Sequence, residues 1–585
     1  MTPMASWPAA SWLASSPFIV LVRAFLTQFL ASESVSAETH RRQTLAWVLA
    51  FLVVPGLFLA VRVLPAYRFA VLRAEAFGTP EIVDQLLVAM GSVFVVFSMG
   101  TTGFIAAFTW DALAFDRRDA MVVAPLPVRG ATVIAAKIAA LGLFFAGATC
   151  VVNVMSAAPF ALVAADRPGG HGVAGDLAAH LSATIGSGLF VFSAVVLTRA
   201  LVGLAGHQIA AAVGSFVQFA FVSALLCAAL LLPAVSPARF QVIDPAHMLW
   251  VPPAWYVGLY ERQLRLSTPL FEPLSDMAVP ATLIAVVAAL AVSIAAYRRQ
   301  IRLALVPAGS SGVMGQARVS RWIARRVVWN RTARSIADFV LLTLARNGAI
   351  RAPIAMNAAI GITIIAVAFS RYGTDLASLA RPRTLVLWVP LVLTYWVVIG
   401  LRAAFFVPSE LPASWTFRAH GTEPSPAYWS GTRAAMLAFT LPRMLAVAAL
   451  LIPLTGWRAA AWHAMLACVL LALLVQIVML TVAHVPFTRE YRAGHAKLRS
   501  RWPLYLLGMF AFAYWPVQLE LRLLERPWGM AVLVASLVAV VAVLEPLGRS
   551  RALRWSLEPP DDDEDAAIVL FGSDGAALRP SLPIS

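Results

Sequence analysis

Hydrophobic positions along this chain fall in runs of about 20 residues separated by short polar breaks. A run of that length crosses a hydrocarbon core about 30 Å thick as a single helix. The pattern predicts membrane helices near 44–64, 84–109, 131–163, 178–198, 208–233 and 279–297. A second set falls near 353–370, 385–406, 434–453, 460–484, 503–522 and 529–545. The third run is long, and Asn153 or Pro159 is where it would tilt or break. The predicted fold class is all-α: a polytopic membrane protein whose roughly twelve transmembrane helices form two parallel six-helix halves.

Two shorter stretches carry a different period. Phe18, Leu21, Val22, Phe25, Leu26, Phe29 and Leu30 recur at i, i+3, i+4, i+7 spacing, which describes an amphipathic helix lying in the membrane interface. A cleaved signal peptide fits this region less well, because the first sixteen residues hold no Lys or Arg and Arg23 and Gln28 break the apolar run. Ile336, Phe339, Val340 and Leu344 give a second amphipathic face. Each half thus opens on an amphipathic segment and has a polar loop between its second and third spans, at 110–130 and 407–433. Six is an even number of crossings, so the halves would share one orientation. The predicted divisions are an N-terminal segment 1–43, a first half 44–297, an Arg-rich linker 298–352, a second half 353–545 and a tail 546–585. The acidic run Asp561 to Asp565, set among Pro and Ala, predicts a disordered tail.

Composition narrows the class. Of 585 residues, 60% are hydrophobic and 13% charged, against about 45–50% and about 25% in soluble domains. A soluble fold of this size would need more polar surface than these residues supply. The formal charge of +16 comes almost entirely from arginine, since Lys137 and Lys497 are the only lysines. The bases lie in short segments between apolar runs, as topology signals do, and no contiguous basic surface for nucleic acid is indicated. With the N-terminus inside, about 28 Lys and Arg fall on the inner side and about 11 on the outer. Segment 298–352 alone has about eleven arginines against one acid, Asp338. The expected location is a bacterial inner membrane with both termini cytoplasmic. Cys150, Cys227 and Cys468 sit inside apolar runs, as packing residues do.

Candidate chemistry concentrates in the inner loops. The first reads Asp116-Arg117-Arg118-Asp119, then Pro125-Leu126-Pro127-Val128, then Lys137 near the start of the third span. The prolines fix chain direction and the alternating charges can dock on a soluble partner; a solvated loop with a snorkelling lysine is the plainer alternative. The second loop carries Glu410-Leu411-Pro412, Trp415 and Arg418, with Arg433 ahead of the next span. An acidic-basic cluster, a Leu-Pro turn and a downstream base resemble the type-2 ABC exporter permease family. That resemblance implies a coupling helix after the second span, seated in a groove of a separate cytoplasmic ATP-binding subunit. It assigns Asp116, Arg117, Arg118, Asp119, Leu126, Pro127, Lys137, Glu410, Leu411, Pro412 and Arg418 to ATPase coupling. It also implies short re-entrant helices on the outer face before the sixth span, which 234–278 with Pro252-Pro253-Ala254-Trp255-Tyr256 resembles. Family members move lipidic, glycan or amphiphilic cargo.

No ATP-binding loop is encoded here. Neither lysine follows a Gly-x-x-x-x-Gly stretch, so an ATP engine would be another chain. No catalytic, cofactor or metal site is expected, and His-Glu-x-x-His and Gly-x-Ser-x-Gly are absent. Glu520 and Glu545 fall near predicted span ends, as do Arg62, Arg402, Arg443 and Arg522, which are expected to snorkel. His463 and His484 are expected to be packing histidines. Pro486 to Tyr491 reads either as an ordered turn that contacts the ATPase or as a plain inner loop. The rival functions are an ion-coupled secondary transporter, a membrane-embedded enzyme and a non-transporting scaffold.

Overall fold

The structure, a computed structural model, describes residues 16–30, 61, 65–79, 81–110, 113, 126–165, 171–204, 216, 219–220, 222–224, 227, 245–266, 271–305, 314–370, 383–407, 426–482, 485–487, 502–524, 526–553, 570–571 and 577–578. Its long elements are helices. The first half holds α1 (Pro17–Leu30), α2 (Glu81–Phe108), α3 (Gly130–Ala165), α4 (Gly172–Leu204), α5 (Pro252–Leu264) and α6 (Ser275–Leu305). Two helices, α7 (Met314–Val327) and α8 (Arg331–Arg346), bridge to the second half. There α9 (Gly348–Phe369), α10 (Arg383–Ala404), α11 (Pro426–Leu450) and α12 (Trp457–Met479) follow. Next comes α13, which runs from Trp502 to Leu523 with a π turn over Phe510–Tyr514, and then α14 (Pro527–Ala552). In the tail, Leu570–Phe571 pairs antiparallel with Ala577–Leu578.

Ten helices among the described residues are long and apolar enough to cross a membrane. They match ten of the twelve expected spans. The first expected span, 44–64, lies outside the described residues except for helical residue 61, and the fifth is described only in helical residues between 216 and 227. The third span does not break: α3 is one helix through Asn153 and Pro159. Asn153 stays inside the bundle because its Nδ2 donates to the Thr149 carbonyl at 3.0 Å and to Ser98 Oγ at 3.4 Å. Arg433, placed ahead of the ninth span by sequence, lies within α11 instead.

The two halves repeat one packing order. In the first, α1 lies on α3, α2 packs on α3 and α4, α3 on α4, and α4 on α6. In the second, α8 lies on α11, α10 packs on α11 and α12, α11 on α12, and α12 on α14. The shared packing order agrees with the internal repeat expected from the loops. The predicted amphipathic faces are the ones used. Leu21 and Phe25 of α1 are buried against Val133, Ala136 and Ala140 of α3. Ile336, Val340 and Leu344 of α8 are buried in the core of the second half.

Association of helices in lipid depends on close approach rather than on expulsion of water. Gly400 supplies one such approach, since a Cβ there would lie 2.7 Å from Ile354 Cα of α9. Gly431 supplies another: its Cβ would meet the Ala333 carbonyl of α8 at 2.4 Å. Between the halves, Phe104 and Ala107 of α2, Phe219 and Val222 of the fifth-span region, and Met356 and Ala359 of α9 form a small apolar cluster.

The bridge between halves is a helix pair. Asn330 caps α8, its side-chain oxygen accepting from Thr332 N at 2.8 Å. Asp338 of α8 then bonds Arg321 at 2.9 Å and Arg325 at 2.8 Å on α7. Partial burial raises the Asp338 carboxyl, but hydrogen bonds and charge from Arg325 and Arg321 outweigh it, so the net shift is downward from 3.8. A lowered folded-state value means the stabilisation is complete above the unfolded value and fades as pH falls through the folded one. Asp338→Asn is therefore expected to cost up to about 1 kcal/mol at pH 7, discounted for solvent screening at exposed Arg325. The melting difference between wild type and variant should close below roughly pH 4; a difference unchanged between pH 7 and pH 3 contradicts this account.

Candidate functional site

The arginine-rich end of each half has the same construction. In the first half the chain leaves α2 through Trp110, whose carbonyl accepts from Arg199 Nε of α4 at 3.0 Å. The guanidinium also lies 5.8 Å from the Trp110 ring centroid. In the second half the matching ends, α10 and the end of α12, are joined by Arg402, whose Nε donates to Thr481 Oγ1 at 2.6 Å. Arg402 sits 5.3 Å from the Phe406 ring centroid. An arginine thus latches the second span of each half to the fourth, at the point where the loop to the third span begins. Snorkelling, expected for Arg402, is not what it does: the side chain is 3% exposed and bonded inside the bundle.

The loops end on the third spans. Leu126 and Pro127 are exposed, and the Val128 N–H donates to the Leu126 carbonyl at 2.7 Å just before α3 begins. Lys137, seven residues past Gly130, is 3% exposed with Nζ 4.7 Å from the centroid of the Phe25 ring. It is covered by α1 rather than stretched to the surface. Arg433, seven residues past Pro426, pairs with Glu545 of α14, which also binds Arg549 at 3.1 Å. Asp116, Arg117, Arg118, Asp119, Glu410, Leu411, Pro412 and Arg418 lie outside the described residues.

The turn at Pro486 is a structural junction. Phe487 N donates to the Phe405 carbonyl at 3.1 Å, and the Phe487 ring packs on Phe405 and Phe339 at 5.6 and 6.2 Å. Phe487 holds φ of +67°, costly for a bulky residue. This contact ties α10 to α8.

Toward the opposite end of the second-half spans, the structure brings together ionisable groups that sequence reasoning did not connect. His463 Nδ1 of α12 lies 2.8 Å from Glu520 Oε2 of α13, the side chains being 3% and 0% exposed. Their other polar atoms, His463 Nε2 and Glu520 Oε1, have no hydrogen-bond partner among the described residues. The π turn of α13 lies just before Pro516, which cannot donate to the helical ladder. Beyond it, Val517 and Glu520 face inward. Fifty-seven residues separate the pair, so no spacing in the sequence could signal it.

The first half carries a polar seam. Asp176, His180, Thr184 and Ser187 of α4 are all fully buried. Their spacing of four, four and three residues places them on one helix face. His180 Nδ1 meets Tyr260 Oη of α5 at 3.0 Å, with the Phe160 ring stacked 5.0 Å away. Among the described residues, neither carboxylate oxygen of Asp176 has a hydrogen-bond partner. Helix α5 is a short helix within the 234–278 segment, just before the sixth span. It seats through Gly258, whose Cβ would fall 2.1 Å from the Phe271 carbonyl, and through Glu261, which accepts from Phe271 N at 2.6 Å. Among the described residues no group of three or more His, Cys, Asp or Glu side chains could hold a metal ion.

These features define a multi-pass α-helical membrane protein. No family model, curated protein or solved structure matches the chain.

Proposed function

We propose that the chain is the permease subunit of an ABC-type exporter, fused from two six-span halves and driven by a separate cytoplasmic ATP-binding subunit. The supporting observation is the matched construction of the arginine-rich end. In each half the inner loop leaves from a span latched by arginine and returns to a third span held under an amphipathic helix. A push on either loop would act on the third span and its amphipathic cover together. The small apolar contact between halves is the seam along which one could shift against the other, opening a route to alternate faces of a bacterial inner membrane. Both termini are placed in the cytoplasm by the positive-inside rule.

The test is co-purification with a Walker-A-bearing ATPase. Asp119→Ala, Leu126→Ala and Glu410→Ala are each expected to weaken that complex about tenfold, as loss of a central interface side chain does. If no ATPase binds, or if all three variants bind it as wild type does, the exporter assignment falls.

The buried His463–Glu520 pair favours one alternative, an ion-coupled secondary transporter, since ionisable groups inside membrane bundles mark ion pathways. Glu520→Gln separates the two. An ATP-driven exporter retains transport with this change, whereas a proton-coupled carrier loses it.

A further inference from the structure

Helix α7 was not foreseen from the sequence, which marked its region only as arginine-rich. It packs on α8 and α11 through Ser320, Ala324 and the neighbouring Val328. The opposite face looks outward. Arg318, Trp322 and Arg326 follow one another at four-residue steps and therefore form a stripe along that face. All three are exposed, Trp322 at 61%. The Arg326 guanidinium lies 5.3 Å from the Trp322 ring centroid. Arg321 and Arg325 complete a cleft of about 380 Å³ along the stripe.

The charge of the cleft is one-sided. Four guanidiniums line it, and the carboxylate of Asp338 answers only Arg321 and Arg325. Apolar groups lie among the bases: Val319 is 53% exposed, Val327 61% and Trp329 90%. A site for a soluble anion has no use for this exposed apolar surface. At a membrane surface the two features belong together, because tryptophan settles at headgroup depth while arginine binds phosphate. The level is also right. Through α8 and Gly431, the helix pair rests on the arginine-rich end of α11, beside Arg433.

We propose that the Arg318–Trp322–Arg326 stripe of α7, with Arg325 beside it, binds the phosphate headgroup of an anionic phospholipid. The arginines hold the phosphate, and Trp322, Val319 and Trp329 enter the acyl boundary around it. The proposal rests on the outward face of α7 alone, so its fate does not depend on the exporter assignment.

The test uses the full chain, purified and placed in nanodiscs of mixed phosphatidylglycerol and phosphatidylcholine, with retained lipid counted by native mass spectrometry after delipidation. Wild type is expected to keep phosphatidylglycerol in preference. Arg318→Gln with Arg326→Gln leaves both Asp338 ion pairs in place and should lower that preference on the order of twentyfold, at about fivefold for each arginine near an anionic surface. Arg458→Gln with Arg526→Gln, at the opposite end of the spans, should leave it unchanged. Equal retention of the two lipids by wild type, or an unaltered preference in the Arg318/Arg326 variant, overturns the proposal. Displacement of the lipid by millimolar inorganic phosphate would identify a soluble-anion site and also overturns it. A preference that appears only after removal of residues 554–585 would show that the acidic run at 561–565 occupies the cleft, again against a lipid.

Discussion

Glu520→Ala is expected to cost the solubilised protein about 3 kcal/mol, through two effects acting at one place. Removing a fully buried side chain leaves a cavity that the surrounding helices fill only in part. It also strips His463 Nδ1 of its partner, and an unsatisfied buried polar group costs roughly 1–3 kcal/mol. Glu520→Gln keeps the volume and offers Nδ1 a side-chain oxygen, so its cost should be about 1 kcal/mol or less. His463→Ala should resemble Glu520→Ala. Replacing both partners by apolar residues of similar size, His463→Leu with Glu520→Met, should recover much of the loss, because neither side is then left unpaired. Reversible unfolding in mixed micelles measures all four. Glu520→Ala and Glu520→Gln costing the same would show that the contact with His463 contributes nothing.

The spans were legible because bilayer thickness imposes a length and a composition on each one locally. Ten expected runs therefore reappear as helices, with ends displaced where local composition misleads. Helix α11 starts at Pro426, eight residues before the expected 434. Tyr428, Trp429 and Arg433 give that stretch the look of a loop, yet Tyr428 and Trp429 are buried. The amphipathic faces of α1 and α8 were legible for the same local reason. Helix α7 was not, because the arginines on its outward face outnumber the apolar residues that it buries. The latches at Arg199 and Arg402 join residues about 80–90 apart, as does the contact of His180 with Tyr260. Such contacts depend on which helices become neighbours, and no spacing along one helix encodes that.

Gly431→Leu should lift α8 off α11. The new Cβ would fall 2.4 Å from the Ala333 carbonyl oxygen and 2.8 Å from Ile336 Cβ. The first of these is backbone, so no rotamer change makes room. Overpacking of this kind costs about 1–3 kcal/mol when side chains can adjust, and here the helix itself must move. Leaving α11 would uncover Ile336, Val340 and Leu344, and with them the contact of Phe339 with Phe487. Amide exchange across 331–346 should accelerate, while exchange across α12 and α14 stays as in wild type. Gly142 supplies the control, since a Cβ there meets nothing within 4 Å; Gly142→Leu should leave both exchange and stability close to wild type. The functional consequence follows from what α8 does. Under the proposed exporter reading, in which α8 transmits loop movement to the third span, Gly431→Leu should still bind the ATPase through the loops but no longer couple hydrolysis to transport. Ala136→Leu, at the corresponding contact of α1 with α3, should uncouple the first half in the same way. Transport at the wild-type rate by a Gly431→Leu protein whose α8 has demonstrably detached would remove the amphipathic helices from the mechanism.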